Sequence, residues 1–301
     1  MVIKMEKAIS KRAEKRVKHK KLYLNRSLGG NIAIWLMMTL IGLFMALPLV
    51  YSISSSLKPL DELWMYPPRF FVQNPTLKNF KDLFGMMSDS WVPFSRYVFN
   101  TLFVAVVGTI GHLIVASLCA YALAKHRFPG QNIVFKIIVL SLMFSTAVTQ
   151  VPSFLIMTKL HMINHLSALI LPAFASSLGL YLMKQFMETS IPDALLESAR
   201  IDGSSEWRTF WQIVMPLVKP AWLTLIIFSF QNLWNTGSNV LIQSEELKTL
   251  NYALTQIVSG GIARSGTAAA ATVVMMSVPI VIFVITQSNI VETMSTSGMK
   301  D

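Results

Sequence analysis

Apolar runs close to the length of a membrane span recur along this 301-residue chain, and its charges fall between them. Crossing about 30 Å of hydrocarbon takes roughly 20 apolar residues in a helix, and several runs approach that length. The pattern reads as an all-α integral membrane protein with about six transmembrane helices. Composition agrees: 53% of residues are hydrophobic and 14% charged, where a soluble domain carries roughly a quarter charged residues. A large soluble helical protein is the competing reading, and the repeated confinement of charge between the runs argues against it.

The expected spans cover residues 31–53, after the pair Gly29-Gly30, then 98–124, 133–155, 167–187, 216–234 and 267–286. Two regions follow: a basic tail over 1–29 and a transmembrane domain over 30–301, with a polar loop at 190–216. Much of the net charge of +11 lies in the tail, in Lys4, Lys7, Lys11, Arg12, Lys15, Arg16, Lys18, Lys20, Lys21 and Arg26. Such a run is held on the cytoplasmic side by the positive-inside bias and attracted to anionic membrane lipid. No aromatic residue interleaves it for base stacking before Tyr23, which argues against nucleic acid. The long basic leader, the span-length first run and the spans that follow make a cleaved signal peptide a poor fit. Cys119, alone in an apolar run, cannot form an intrachain disulfide and packs as a small hydrophobe.

Lys125, His126 and Arg127 between spans two and three, and Lys184, Arg200, Arg208 and Lys219 after span four, place those loops beside the tail in the cytoplasm. The 60–97 and 237–265 loops then fall outside, and both termini are cytoplasmic. Lys58-Pro59, Pro67-Pro68-Arg69 and Asn74-Pro75 mark turns, and 76–84 could form a short surface helix. Gly266, Thr267 and the alanines at 268–271 permit close helix approach at the start of span six.

The polar loop is the informative segment. Pro192 suits a first helical turn, and Asp193 suits the positive end of its dipole. Leu196, Ala199 and Gly203 share one face that narrows from Leu to Gly, so a partner could approach the backbone there. Gly203 is a natural helix stop. Ser204 or Ser205 can cap a second short helix carrying Trp207, Phe210 and Trp211, which Pro216 ends. On pattern alone, an amphipathic linker lying on lipid headgroups fits as well.

Glu197-Ser198-Ala199, Gly203, Ile213 and Pro216 resemble the EAA loop of permease subunits of ATP-binding-cassette (ABC) importers: Glu-Ala-Ala, three residues, Gly, nine residues, then Ile-x-Leu-Pro. Ser198 stands for the second-position Ala and Met215 for Leu, with the spacing intact. The likeness extends to Ser54-Ser55-Ser56-Leu57-Lys58-Pro59, Asn79-Phe80, Asn100-Thr101-Leu102, Ala120-Tyr121-Ala122-Leu123-Ala124, Phe128-Pro129-Gly130 and Ile191-Pro192. These motifs are similar to the carbohydrate-uptake branch, on the side of the maltose-type second permease. The resemblance implies a type I importer permease whose coupling residues are Glu197, Ser198, Ala199, Asp202, Gly203, Ile213 and Pro216. Glu197 would meet a basic residue of a separate ATPase, Ala199 would pack in its cleft, and Gly203 would permit the turn. The implied assembly is a heterodimer with a second homologous permease, two ABC ATPase subunits and an extracytoplasmic sugar-binding protein, in a bacterial-type cell membrane. The tail segment Ser297-Gly298-Met299-Lys300 stands where the family reaches the ATPase interface, and the 237–265 loop where it meets the binding protein.

Polar residues in spans are costly and often functional. Gln231, Asn232, Trp234 and Asn235 end span five, and Gln150 and Gln287, with Asn289 nearby, are further candidates for a substrate path. Amides and an aromatic face suit sugars, although interhelical contacts use the same residues. The family commonly has an acid after its Trp-Asn pair, where this chain has Thr236. No Gly-x-x-x-x-Gly-Lys-Ser/Thr loop is present, so ATP and Mg are expected on the partner ATPase and no cofactor on this chain. No His-Glu-x-x-His motif occurs; His161 and His165 share helical spacing but flank a short turn, and no metal site is expected. A permease for another small solute is one alternative. An ion-coupled secondary transporter is another, but it would want intramembrane acids or bases that the spans hardly supply. A membrane enzyme would need a clustered catalytic set.

Overall fold

A computed structural model describes residues 28–88, 91–237, 240–261 and 264–297. The basic tail through residue 27 and the terminal residues 298–301 lie outside the described residues, as do 89–90, 238–239 and 262–263. The chain divides into two units, residues 1–51 and 52–301. In the first, helix α1 (Leu28–Ser56) begins and carries the first apolar run, with Pro48 inside it.

The second unit is built around α4 (Phe94–Lys125), 32 residues long. At 1.5 Å per residue it reaches about 48 Å, more than the hydrocarbon needs. It starts after Pro93, whose extended backbone (φ −66°, ψ 144°) cannot continue a helix backwards, and ends where His126 turns extended (φ −116°, ψ 133°). Small residues along it let neighbours come close. The Leu233 side chain lies where a Cβ on Gly108 would be, and the Phe174 ring where one on Gly111 would be. Leu233 belongs to α12 (Lys219–Trp234).

Among the described residues four helices are long and apolar enough to cross a membrane: α1, α4, the stretch Ser167–Ser190, and the last helix; Glu206–Leu217 with α12 makes a fifth if that bent pair is one span. The third expected span is not one helix. It consists of α5 (Gln131–Ser141) and α6 (Thr146–Lys159). Between them the amides of Leu142, Met143 and Phe144 turn to carbonyls three residues back, at 3.2, 3.0 and 3.3 Å, which winds the helix off. Span four also breaks, at Ala175 and Ser176, between α7 (Ser167–Phe174) and α8 (Ser177–Ser190).

Helix α9 (Asp193–Ile201) follows, then α10 (Glu206–Thr209), a π turn at Phe210–Val214 and α11 (Met215–Leu217). Span five was expected to begin at Pro216, but the corner comes later: Glu206–Leu217 and α12 meet at 80°. Pro220 explains the position, because its ring would strike the carbonyl of residue 216 in a continuous helix. Pro216 has no N–H for residue 212, and the chain widens just before it, with the Met215 amide bonding to Phe210 O. Trp222 Nε1 donates to Met215 O across the bend at 3.0 Å.

The remaining elements among the described residues are α2 (Leu60–Leu63), α3 (Lys78–Ser88), a 3-10 turn at Glu245–Leu247, α13 (Leu250–Val258) and α14 (Ser265–Ser297). The expected short helix at 76–84 is α3, and it buries Asn79, Leu83 and Met87 at four-residue spacing. Gly266 packs directly on the Asn79 side chain, the close approach its neighbours forecast. Several motif residues turn out to be loop clamps. Asn79 Nδ2 donates to Ser56 O and Lys58 O (2.9 and 2.7 Å), and Asn100 Nδ2 to Glu246 O and Lys248 O (2.7 and 3.0 Å). Thr101 Oγ1 accepts the Leu250 amide at 2.7 Å.

Candidate functional site

The polar loop folds as two short helices joined by a tight turn. Gly203 has φ +76°, in the left-handed region where a Cβ is strained. Its amide donates to Arg200 O at 3.0 Å and that of Ser204 to Ala199 O at 2.9 Å. This pair of bonds is the Schellman closure of α9. Ser205 then caps α10: its hydroxyl accepts the Arg208 amide at 3.3 Å. Pro192 sits one position earlier than expected, as the extended residue before α9.

The orientation of α9 corrects one expectation. Leu196 and Ala199 are 3% and 7% exposed, turned inward rather than outward. Leu196 joins a cluster with Met187, Ile191, Phe210 and Val214, so the chain itself covers the apolar stripe of this nine-residue helix. The outward surface carries Glu197, Ser198, Asp202 and Gly203, with Ile213 half-buried and Pro216 exposed. Ile201 and Trp207 add apolar area to it, at 86% and 62% exposed. No Cβ neighbour lies within 4 Å at Gly203, so the turn is open on that side.

Ionic contacts tie the loop to the end of α4. Lys125 Nζ donates to Ile191 O at 2.6 Å and to Asp193 Oδ1 at 2.7 Å. Glu206 is a junction: it accepts Arg200 Nε (2.7 Å) on one oxygen and the Tyr121 hydroxyl (2.9 Å) on the other, with His126 Nε2 at 3.6 Å. Arg200 bonding and Tyr121 bonding hold the Glu206 carboxyl below the usual range, against the opposing effect of burial. Hydrogen bonding and charge from Lys125 do the same for Asp193. Glu206 therefore adds stability while ionised, above its ordinary value, and loses it as pH falls through the lowered folded-state value; the share from Asp193 has the same sign but is small, because its side chain is 78% exposed and screened by water. Amide exchange over α9 and α10 is expected to accelerate as pH drops below about 4, after correction for intrinsic rates. Glu206→Gln should already exchange faster at neutral pH and respond less to acid; an unchanged acid response in that variant would assign the effect elsewhere.

Residues 28–295 match the model of the binding-protein-dependent transport system inner membrane component family. The chain belongs to that family. It is 29% identical over 230 residues to the arabinooligosaccharides transport system permease protein AraQ of Bacillus subtilis, covering 76% of this chain and 81% of the relative. It is 39% identical over 143 residues to the sn-glycerol-3-phosphate transport system permease protein UgpE of Yersinia enterocolitica, covering 48% of this chain and 50% of the relative. Its fold matches a chain of a bacterial ABC transporter involved in import of the acidic polysaccharide alginate. The TM-score is 0.71 at 23% identity, covering 87% of this chain and 98% of that one. The fold is that of a type I ABC importer permease, in a multi-pass membrane protein.

The suggested substrate-path residues differ in burial. Trp234 is 2% exposed and donates its indole N–H to Met275 O at 3.0 Å, which makes it a core residue joining α12 to α14. A flat ring with one donor is fully satisfied there, and it offers no face to solute. Gln231, Asn232, Asn235, Gln150 and Gln287 are exposed. Asn235 Nδ2 bonds Gln231 O at 2.9 Å, and Asn251 Nδ2 bonds Asn235 O, so this end of α12 is tied to α13. The Asn289 side chain lies outside the described residues. Among the described residues no group of three or more His, Cys, Asp or Glu side chains is placed to hold a metal.

Sequence reasoning used Lys125, His126 and Arg200 only as topology markers and passed over Glu206. The available signal was the pairing of Ala120-Tyr121-Ala122-Leu123-Ala124 with Ile191-Pro192: those motifs meet in the clamp.

Proposed function

We propose that this chain is one permease of an ATP-driven importer for sugars, in which 190–216 is the coupling loop to a cytoplasmic ATPase. The observation that carries the coupling role is a helix–turn–helix with an open, partly apolar outer rim, bonded to the end of the central helix. Glu197, Ser198, Asp202, Gly203 and Pro216 stand on the side a partner can reach. Ala199 acts from within, as a small residue under the Schellman turn. The assembly is a heterodimer with a second homologous permease, two ATPases that hold ATP and Mg, and an extracytoplasmic sugar-binding protein. It sits in the cytoplasmic membrane with both termini inside. Closure of the ATPases would press the loops together and reorient the spans.

A sugar cargo is supported by AraQ, whose match spans most of both chains. The glycerol-3-phosphate relative favours a second reading, with a phosphate cargo. Arg96 is the arginine within α4, in its first turn, with its Nε bonded to Glu246 O at 3.3 Å, so a phosphate would meet one guanidinium along that helix.

Cross-linking tests the coupling role. Ala199 is too buried to report on a partner, so Ile201→Cys is the suitable site. Cross-linking in native membranes, then mass spectrometry of the detergent-extracted complex, should yield an ATPase adduct and a complex with one other permease and two ATPase copies. A chain recovered alone or only with itself would remove the importer reading.

A further inference from the structure

Spans three and four both break, and the breaks are joined. Ser141, the last residue of α5, has its hydroxyl 2.6 Å from that of Ser177, the first residue of α8. Below that bond the same two helices stay attached: Phe135 stacks on Tyr181 at 6.1 Å, and Lys184 Nζ lies 4.2 Å over the Phe135 ring. Across the break in span four, the contacts come from α4 instead. His112, 3% exposed, sets its Nδ1 3.4 Å from Phe174 O, the carbonyl at the end of α7. A carbonyl can only accept, so the contact is a hydrogen bond in the tautomer that carries its proton on Nδ1. The other edge of the imidazole fills the place a Cβ on Gly179 would take, in the first turn of α8. The Phe174 ring does the same at Gly111, one residue from His112. One ring therefore touches both sides of the break, while α4 itself runs through unbroken.

We propose that the two breaks form a single hinge, with His112 as its positioning residue, about which α5, α8, the coupling loop and the Lys125 half of α4 bonded to it turn as one lever against α7. The inference rests on the coupling role proposed above, since α8 runs through Ile191-Pro192 directly into α9. Helix α8 has 14 residues, about 21 Å at 1.5 Å per residue, so a swing of about 15° moves its far end by roughly 5 Å. Ser176, extended at φ −65° and ψ 110°, gives the chain a place to absorb that change. The extended residue before α6 is Ser145 (φ −72°, ψ 151°). A buried imidazole bonded to one helix segment and seated on the next can hold their register without joining them covalently.

Pulsed dipolar spectroscopy on the complete complex, with Cys119→Ser and spin labels at paired introduced cysteines, tests the hinge. Leu171 with Thr189 spans the break; Asn132 with Thr189 lies within the lever; Ile201, labelled with a fluorophore, reports the coupling loop. Trapping with ATP and vanadate should swing Thr189 about 5 Å sideways, which changes the Leu171–Thr189 distance along the span by about 1 Å, and should leave Asn132–Thr189 unchanged. His112→Leu should at least double the width of the Leu171–Thr189 distribution before nucleotide is added. His112→Asn should narrow it part of the way, because its amide nitrogen stands where Nδ1 does while the seat at Gly179 stays empty. Equal shifts in both pairs, or a static Leu171–Thr189 distance while Ile201 responds, overturn the hinge and leave the coupling role standing. No response at Ile201 overturns the coupling role and the hinge together. A His112→Leu distribution like the wild type removes His112 from the device.

Discussion

Gly203→Val is expected to cut cross-linking of Ile201→Cys to the ATPase, and solute uptake, while the chain still accumulates in the membrane. Gly203 closes α9 at φ +76°, and a non-glycine residue forced there costs about 1–3 kcal/mol, a factor of roughly 5–150 in the population of the closed turn. A β-branched residue stands at the upper end of that range. Gly203→Asn separates strain from crowding. Asn enters the left-handed region readily, and a Cβ here meets nothing within 4 Å of this chain. Near-normal cross-linking is therefore expected of Asn. If Asn fails as badly as Val, the partner surface comes closer to residue 203 than any part of this chain does. Gly203→Asp shares the backbone tolerance of Asn but puts a carboxylate at the negative end of α9, beside Asp202. The difference between Asp and Asn isolates that charge, and Asp is expected to be the worse of the two. Uptake and cross-linking should fall together; uptake lost with cross-linking intact would place the role of the turn after docking.

The turn was legible in the sequence because its determinants are local. Glycine at a helix end, serine before the next helix and proline at fixed offsets act through backbone sterics and nearest-neighbour hydrogen bonds. The same local logic forecast α3 and the tight seat of Gly266. It could not decide which way α9 faces. Periodicity says that Leu196 and Ala199 share a side, but an apolar stripe serves a partner and the chain's own body equally well. Only the placement of Met187, Phe210 and Val214 settles that it turns inward. Trp234 misled for a related reason: an indole beside amides at a span end looks like a sugar platform until its N–H is found on Met275 O. The break in span three left little trace, because Leu142, Met143 and Phe144 are as apolar as the helices they separate. The Glu206 junction joins residues 85 positions apart through Tyr121, a pairing that no spacing rule announces.

Lys125→Met is expected to loosen the coupling loop far more than Asp193→Asn, although both remove one partner of the same ion pair. The Lys125 side chain is 5% exposed and that of Asp193 is 78% exposed. Water and salt already screen the carboxylate, so neutralising it changes little. The ammonium also donates to Ile191 O at 2.6 Å, and Ile191 is 1% exposed. Methionine keeps the buried stem but withdraws that charged donor from a carbonyl that water reaches poorly. A hydrogen bond of this kind is worth about 1.5–3 kcal/mol, so local opening of α9 should rise by roughly 30-fold, read as faster amide exchange at 193–203. The mechanical consequence follows from the fold. Ile191 is the joint between α8 and α9, and Lys125 is the last residue of α4, so their bond fixes where a push on the loop enters the membrane helices. Loosening it should leave the ATPase docked to Ile201 while uptake falls, the reverse of the order expected at Gly203. Equal exchange in Lys125→Met and Asp193→Asn would assign the joint to the ion pair and take the carbonyl out of the account.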